Sequence, residues 1–100
     1  MEIMENRNGD TLLLSLSGRM DSTTAPQLEN IINTGLAGVS NLVLDFAKLD
    51  YISSAGLRVL LSAQKIMSKQ GKMTIKNVCE TIDEVFSITG FSDILTIEKN

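Results

Sequence analysis

The amino-acid sequence predicts an α/β fold: a single mixed, mostly parallel β-sheet packed with helices, in the order strand, strand, helix, strand, helix, strand, helix, strand. Three patterns predict it. Residues 11–17 alternate with a period of two, residues 42–46 are apolar almost throughout, and residues 55–69 carry an apolar stripe at helical spacing. Strands that alternate with helices imply crossover connections and parallel pairing, while two consecutive strands at the start add one antiparallel pair.

The elements follow in order. Leu12, Leu14 and Leu16 share one side of the leucine strand, with Leu13, Ser15 and Ser17 on the other. Asn8-Gly9 just before it is a tight-turn dipeptide, so residues 2–6 are expected to pair antiparallel with the leucine strand as an edge. Beyond Asp21, the hydroxyls of Ser22, Thr23 and Thr24 precede Pro26, and Thr24 with Gln27 has capping-box spacing, which starts a helix. Leu28, Ile31, Ile32 and Leu36 continue it, and Gly35 and Gly38 end it. The run 42–46 reads as a central strand covered on both faces. In the next helix Val59, Leu60, Ala63, Ile66 and Met67 form the inner stripe, and Arg58, Ser62, Lys65 and Lys69 form a basic outer face. Gly71 stops it. Residues 72–76 form a short strand with Met73 and Ile75 inward, residues 80–89 a third helix carrying Ile82, Val85 and Phe86 before Gly90, and residues 94–97 a last strand.

Composition narrows the function. One hundred residues suit a single domain over residues 1–100, and 43% apolar with 21% charged residues is globular composition that needs no disulfide scaffold. Twelve acidic against nine basic side chains give a net charge of −3, which argues against a nucleic-acid partner. No apolar run approaches the ~18 residues of a membrane span, and the opening MEIMENRNGD has neither a basic region nor an apolar core, so a cytoplasmic protein without a membrane partner is expected. Cys79, the single cysteine, reads as a small semi-buried residue near a helix start.

Catalytic readings weaken for want of parts. With no histidine there is no Ser-His-Asp or Cys-His arrangement. Lys65 lies eleven residues beyond Ser54 on one helix, roughly 16 Å at 1.5 Å per residue, too far for a serine-lysine pair. Neither a Walker pattern nor a dinucleotide fingerprint occurs. Asp21, Asp45 and Asp50 are the carboxylates that strand ends would gather around a divalent ion, the alternative being solvated or helix-capping acids; no metal is assigned. The remaining feature is residues 49–57, LDYISSAGL, between the end of a buried strand and the start of an amphipathic helix. Open α/β sheets favour that edge for ligands and partners. Ser53 or Ser54 is placed to cap the helix, where the dipole also favours negative charge.

The run Tyr51-Ile52-Ser53-Ser54-Ala55-Gly56-Leu57-Arg58-Val59-Leu60-Leu61 resembles the phosphorylation segment of bacterial STAS-domain anti-sigma factor antagonists. Leu16-Ser17-Gly18-Arg19-Met20-Asp21, with Ala25 and Leu28, is similar to that family's first signature, and Phe86-Ser87-Ile88-Thr89-Gly90-Phe91 to its last. Together the three segments span nearly the whole chain in the right order. The resemblance implies the STAS fold and places the phosphorylated serine on Ser54, with Ser53 as the alternate; Ser53 stands where the family usually has aspartate. It implies a contact role for Asp21, and the surface expected to border the partner comprises Asp21, Ser22, Thr23, Thr24, Ser53, Ser54, Gly56, Leu57, Arg58 and Ser62, the last two on the outer face of the second helix. The implied function is a partner switch without a cofactor of its own: the unmodified protein binds an anti-sigma serine kinase with an ATPase fold and releases the sigma factor. Phosphorylation ends the complex, and a PP2C-type phosphatase acts on the phosphorylated form. The alternatives are a STAS sensory or scaffolding module that binds a ligand or self-assembles and, more remotely, an enzyme using Asp21 and Asp45.

Overall fold

The computed structural model describes residues 1–98. Its strands β1 (Glu2–Asn8), β2 (Thr11–Met20), β3 (Asn41–Ile52) and β4 (Lys72–Lys76) form one sheet in that spatial order. β1 runs antiparallel to β2, whereas β2–β3 and β3–β4 are parallel. Helix α1 (Ala25–Gly35) connects β2 to β3, α2 (Ser54–Gln70) connects β3 to β4, and α3 (Glu80–Thr89) leads into a 3-10 turn at Phe91–Asp93. The predicted mixed sheet and three helices are present, with β4 and α3 at the predicted residues.

The hairpin turn lies one residue later than predicted. Asn8 still pairs with Thr11, so Gly9 and Asp10 are the loop residues, and Gly9 takes the positive φ of 64° that the first position of a II′-type loop demands. β2 and β3 run past their predicted ends because register shifts between Ser15 and Ser17 and between Gly18 and Arg19 insert extra residues without ending the pairing. At one of these irregularities the Asp45 carboxylate accepts from the Ala47 backbone N–H (3.0 Å) and the Asn77 side-chain amide (2.9 Å). Burial pushes the Asp45 pKa up, but those two hydrogen bonds, with Lys76 and Lys48 nearby, bring it below the ordinary carboxylate value.

Leu12, Leu14, Leu16, Leu42, Leu44, Phe46, Met73 and Ile75 line the helix-facing side of the sheet, buried with Leu28 and Ile32 of α1, Leu60, Ala63 and Met67 of α2, and Ile82 and Phe86 of α3. Phe46 and Phe86 bring their ring centroids to 6.4 Å, which places α3 on the same side as the other helices. The expectation that β3 is covered on both faces is therefore corrected: Val43 and Asp45 turn to the opposite face, where they and Leu13 are only partly buried. Leu13 and Val43 are register partners and shield one another, so an apolar strand forms here without a second helical layer. The predicted last strand shrinks to one parallel bridge between Ile75 and Ile97, flanked by hydrogen bonds from the Ile75 amide to the Thr96 carbonyl (2.9 Å) and from the Glu98 amide to the Ile75 carbonyl (2.8 Å). The amides of Ile94 and Leu95 bond back to the Phe91 carbonyl, which commits them to the turn.

Two polar contacts fix how α2 ends against the rest. The Gln70 amide donates to the carbonyls of Leu36 and Val39, both at 2.6 Å, tying the loop after α1 to the last turn of α2. Gly71 then passes the backbone of Ser40 so closely that a side-chain carbon there would run into the Ser40 carbonyl. Its φ of 171° is ordinary extended backbone, so space and not conformation selects glycine. Gly71→Ala should cost about 1–3 kcal/mol in urea unfolding because backbone has no rotamer with which to yield. Gly35→Ala, whose new carbon would sit 3.7 Å from Ile31, should stay within about 0.5 kcal/mol of the wild type.

Candidate partner-binding site at the start of the second helix

The C-terminal ends of β2 and β3 and the first turn of α2 meet at one edge of the molecule. The Ser53 amide donates to the Met20 carbonyl at 2.8 Å, so the chain leaves β3 already hydrogen-bonded to the end of β2. Ser53 is the N-cap in an extended conformation, and its side-chain oxygen accepts a long hydrogen bond from the Gly56 amide at 3.4 Å. Ser54 is the first helical residue and is exposed. The two serines, interchangeable as caps in the sequence, are thereby separated: Ser53 is part-buried and engaged in the cap, and Ser54 presents its hydroxyl to solvent.

Gly56 and Leu57 are buried and offer no surface; they seat the helix. A side-chain carbon at Gly56 would stand 2.8 Å from Ile52 and 2.9 Å from the Met20 sulfur, so glycine permits α2 to settle onto the strand ends. Arg58 and Ser62 are exposed at steps of four along the face that Ser54 begins. The Asp21–Thr24 turn stands across from them. Ser22, Ala25, Pro26 and Glu29 on that side face Ala55, Arg58 and Val59 over a shallow groove of about 150 Å3.

The predicted Thr24–Gln27 capping box does not form. The Thr24 hydroxyl instead donates to the Arg19 carbonyl (2.7 Å) and accepts from the Asp21 amide (2.9 Å). Asp21 takes over the turn: one carboxylate oxygen accepts from the Thr23 hydroxyl (2.7 Å), the Thr23 amide (3.0 Å) and the Thr24 amide (3.1 Å). The Thr23 hydroxyl and amide, followed by the Thr24 donors, hold the Asp21 pKa down at about 2. Asp21 thus stands as a charged anchor of the loop bordering α2.

Sequence reasoning missed Arg19 and Tyr51 as site residues. They are register partners one residue before the ends of β2 and β3, and the Arg19 guanidinium lies 4.3 Å from the centre of the Tyr51 ring. A second contact joins Arg19 to the Asp21 carboxylate at 3.9 Å. Met20 and Ile52, the next residue of each strand, are buried, which turns Arg19 and Tyr51 to the opposite side. The available signal was this buried pair beside an exposed aromatic and a cation, but the pairing depends on register shifts that no sequence period reveals. Asp21, Asp45 and Asp50 do not converge as metal ligands: among the described residues no group of three or more His, Cys, Asp or Glu side chains is arranged to hold an ion. Cys79 is a free, partly buried thiol at the N-cap of α3.

A family model of the STAS domain matches residues 2–100. The chain belongs to the STAS domain family. It is 36% identical over 102 residues to BtrV of Bordetella bronchiseptica, whose name marks it as a candidate anti-sigma factor antagonist, and the match covers 100% of this chain and 88% of that protein. Among solved structures, an anti-sigma factor antagonist from Mycobacterium paratuberculosis superposes with a TM-score of 0.88 at 21% identity, over 99% of this chain and 86% of the other. The anti-sigma factor antagonist SpoIIAA in its unphosphorylated form gives 0.78 at 18% identity, over 99% and 89%. These superpositions establish that this STAS member shares their fold. No helix among the described residues is long and apolar enough to cross a membrane.

Two stability measurements test the local assignments. Ser53→Ala should lower stability by about 0.5–1 kcal/mol through loss of a weak cap, whereas Ser54→Ala should fall within about 0.5 kcal/mol of the wild type. Asp21 supplies a pH test. Its folded pKa lies below the ordinary 3.8, so its contribution is present above that value and disappears as pH falls from 3.8 towards about 2. Thermal unfolding should show the wild type losing its advantage over Asp21→Asn across that window, and parallel curves would remove Asp21 from the anchoring role.

Proposed function

We propose that this chain acts, as one STAS domain over residues 1–100, as an anti-sigma factor antagonist switched by phosphorylation of Ser54. The observation that carries the proposal is the division of labour between the serines: Ser53 caps α2, which leaves Ser54 exposed beside Arg58 and the Asp21–Thr24 turn. The partner is an anti-sigma serine kinase of ATPase fold, which surrenders its sigma factor when it binds the unmodified chain. The γ-phosphoryl group of ATP passes to the Ser54 oxygen, its bond to ADP breaks, and the hydroxyl proton goes to a base on the kinase. A PP2C-type phosphatase resets the switch by hydrolysis. ATP and its metal belong to the kinase, and this chain holds no cofactor.

Charge is sufficient to reverse binding. Phosphate adds about −1.5 to −2 charges at a site that previously offered a neutral hydroxyl. A single like-charge contact at ~6 Å in an effective dielectric of ~20 is worth about 3 kcal/mol, roughly a hundredfold in affinity. Arg19 and Tyr51 extend the contact surface, since a stacked arginine and aromatic lose little freedom on docking. The open face of the sheet favours a second reading. Met4, Ser15, Ser17, Asp45 and Lys48 line a cavity of about 220 Å3 there, which suits a STAS module that takes a small ligand without a phosphorylation cycle.

The two readings separate on one set of samples. Incubating the unmodified protein with ATP and its own cell extract, followed by phosphosite mapping, should place phosphate on Ser54. Phosphate on Ser53 alone would reassign the residue, and none on either would favour the ligand module. Ser54→Asp should unfold at the wild-type temperature because an acid suits a helix start, yet bind the captured kinase about tenfold or more weakly. Equal affinity by titration calorimetry would end the electrostatic mechanism.

A further inference from the structure

Phosphate on Ser54 needs a counter-charge, and among the described residues the surroundings leave one cation placed to supply it. Arg19 stands at the same edge but is occupied, stacked on Tyr51 at 4.3 Å and within 3.9 Å of the Asp21 carboxylate. Arg58 is different. It is exposed on α2, and among the described residues it has no ion-pair partner; the single pair there is Arg19–Asp21. Glu29 shares the groove between α1 and α2 with it but does not reach it as a salt bridge. Lys65 and Lys69 follow on the same face, eleven and fifteen residues from Ser54, beyond side-chain reach.

Ser54 and Arg58 are four residues apart on a helix, which brings their Cβ atoms to about 5–6 Å on one face. The order also matters: an anion on the N-terminal side of a cation four residues later is the favourable orientation, because both charges then agree with the helix dipole. A phosphoserine presents three acceptor oxygens, and guanidinium is the side-chain group that binds two of them at once.

We infer that Arg58 is the intramolecular clamp of phosphorylated Ser54, so that phosphorylation removes this arginine from the partner surface while adding the negative charge. The inference rests on the phosphoserine reading of Ser54 and gives the switch a second arm. In the unmodified chain Arg58 is free to meet an acidic group of the kinase beside a neutral hydroxyl. In the modified chain the guanidinium folds back one turn onto the phosphate, and the kinase loses a cation where it also meets an anion. Glu29 across the groove and Asp21 in the adjoining turn are the carboxylates that oppose a phosphate here, while Arg58 and, behind its stacking, Arg19 are the cations that favour it.

The test needs no kinase. Phosphoserine is installed at position 54 during synthesis, in the otherwise wild-type full chain and in Arg58→Ala and Arg58→Lys, and the second phosphate ionisation is followed by phosphorus NMR. An unperturbed phosphoserine titrates near about pH 6. Arg58→Ala should raise the midpoint by about half a unit relative to the wild-type phosphoprotein. Arg58→Lys should recover part of that shift, and about 1 M salt, which shortens the screening length to ~3 Å, should shrink the difference. A general structural fault would change the unfolding temperature of the unmodified Arg58→Ala chain, which is expected to match the wild type. Coincident titrations of the wild-type and Arg58→Ala phosphoproteins would overturn the clamp. Failure of phosphosite mapping at Ser54 would instead strike the partner switch and leave this titration result standing.

Discussion

Everything at the candidate site depends on how closely the first turn of α2 approaches the ends of β2 and β3. The Ser53 amide reaches the Met20 carbonyl, and Gly56 lies where any side chain would press on Met20 and Ile52. Because the contact is close, the helix start is fixed to the sheet and not to a flexible loop. Its first exposed residue therefore inherits the rigidity of the core, since Met20 and Ile52 are themselves buried. A hydroxyl held this way is a pre-organised feature for a docking partner, with little ordering cost left to meet at the interface.

Much of this was legible from residue patterns because the helix-facing side of the sheet and the inner stripes of the helices must be apolar. The alternation of Leu12, Leu14 and Leu16 and the spacing of Val59, Leu60, Ala63 and Met67 follow directly from periods of two and 3.6. The far ends of β2 and β3 were not legible. Beyond Phe46 the burial runs exposed, exposed, buried, so Leu49 and Ile52 are inward three residues apart, a spacing produced by bulged pairing that a period of two does not describe. The missing second layer on the sheet was hidden for a different reason: Leu13 and Val43 are apolar on the open face, and residue type alone does not tell a shared cross-strand contact from a covering helix.

At the site, sequence motifs named both serines and Asp21 but not their division of roles. Thr24 had the right spacing for a cap, yet its hydroxyl is drawn to the Arg19 carbonyl, the Gln27 amide goes to the Thr24 carbonyl instead, and the carboxylate of Asp21 collects the Thr23 and Thr24 amides. A carboxylate oxygen accepts from several donors at once, and which donors reach it is decided by local geometry rather than by spacing. Arg19, placed by the same turn, is then available to both Tyr51 and Asp21, and the strand ends acquire a cationic and aromatic corner whose two halves lie in different motifs.

The replacement of the family's usual aspartate by Ser53 acquires meaning in this arrangement. An acid at the N-cap would strengthen the cap, since a carboxylate accepts from a helix amide more strongly than a hydroxyl does. It would also set a permanent negative charge next to Ser54. With phosphate on Ser54, two adjacent anions ~6 Å apart would repel by about 3 kcal/mol at an effective dielectric of ~20. The 3.4 Å contact from Gly56 to the Ser53 oxygen is the weaker cap that results from neutrality. Its compensation comes from packing: the buried Leu57, Leu60 and Met67 hold α2 to the sheet with far more apolar area than one cap contributes. A neutral residue at position 53 therefore gives up little stability and would leave a phosphate on Ser54 with one fewer opposing charge. The negative charge fixed beside the helix start is then that of Asp21, whose pKa of about 2 keeps it ionised through the physiological range. Under the proposed switch, the balance between modified and unmodified forms would be governed by the cations that answer the phosphate, which would place the weight on Arg58, four residues along the same exposed face.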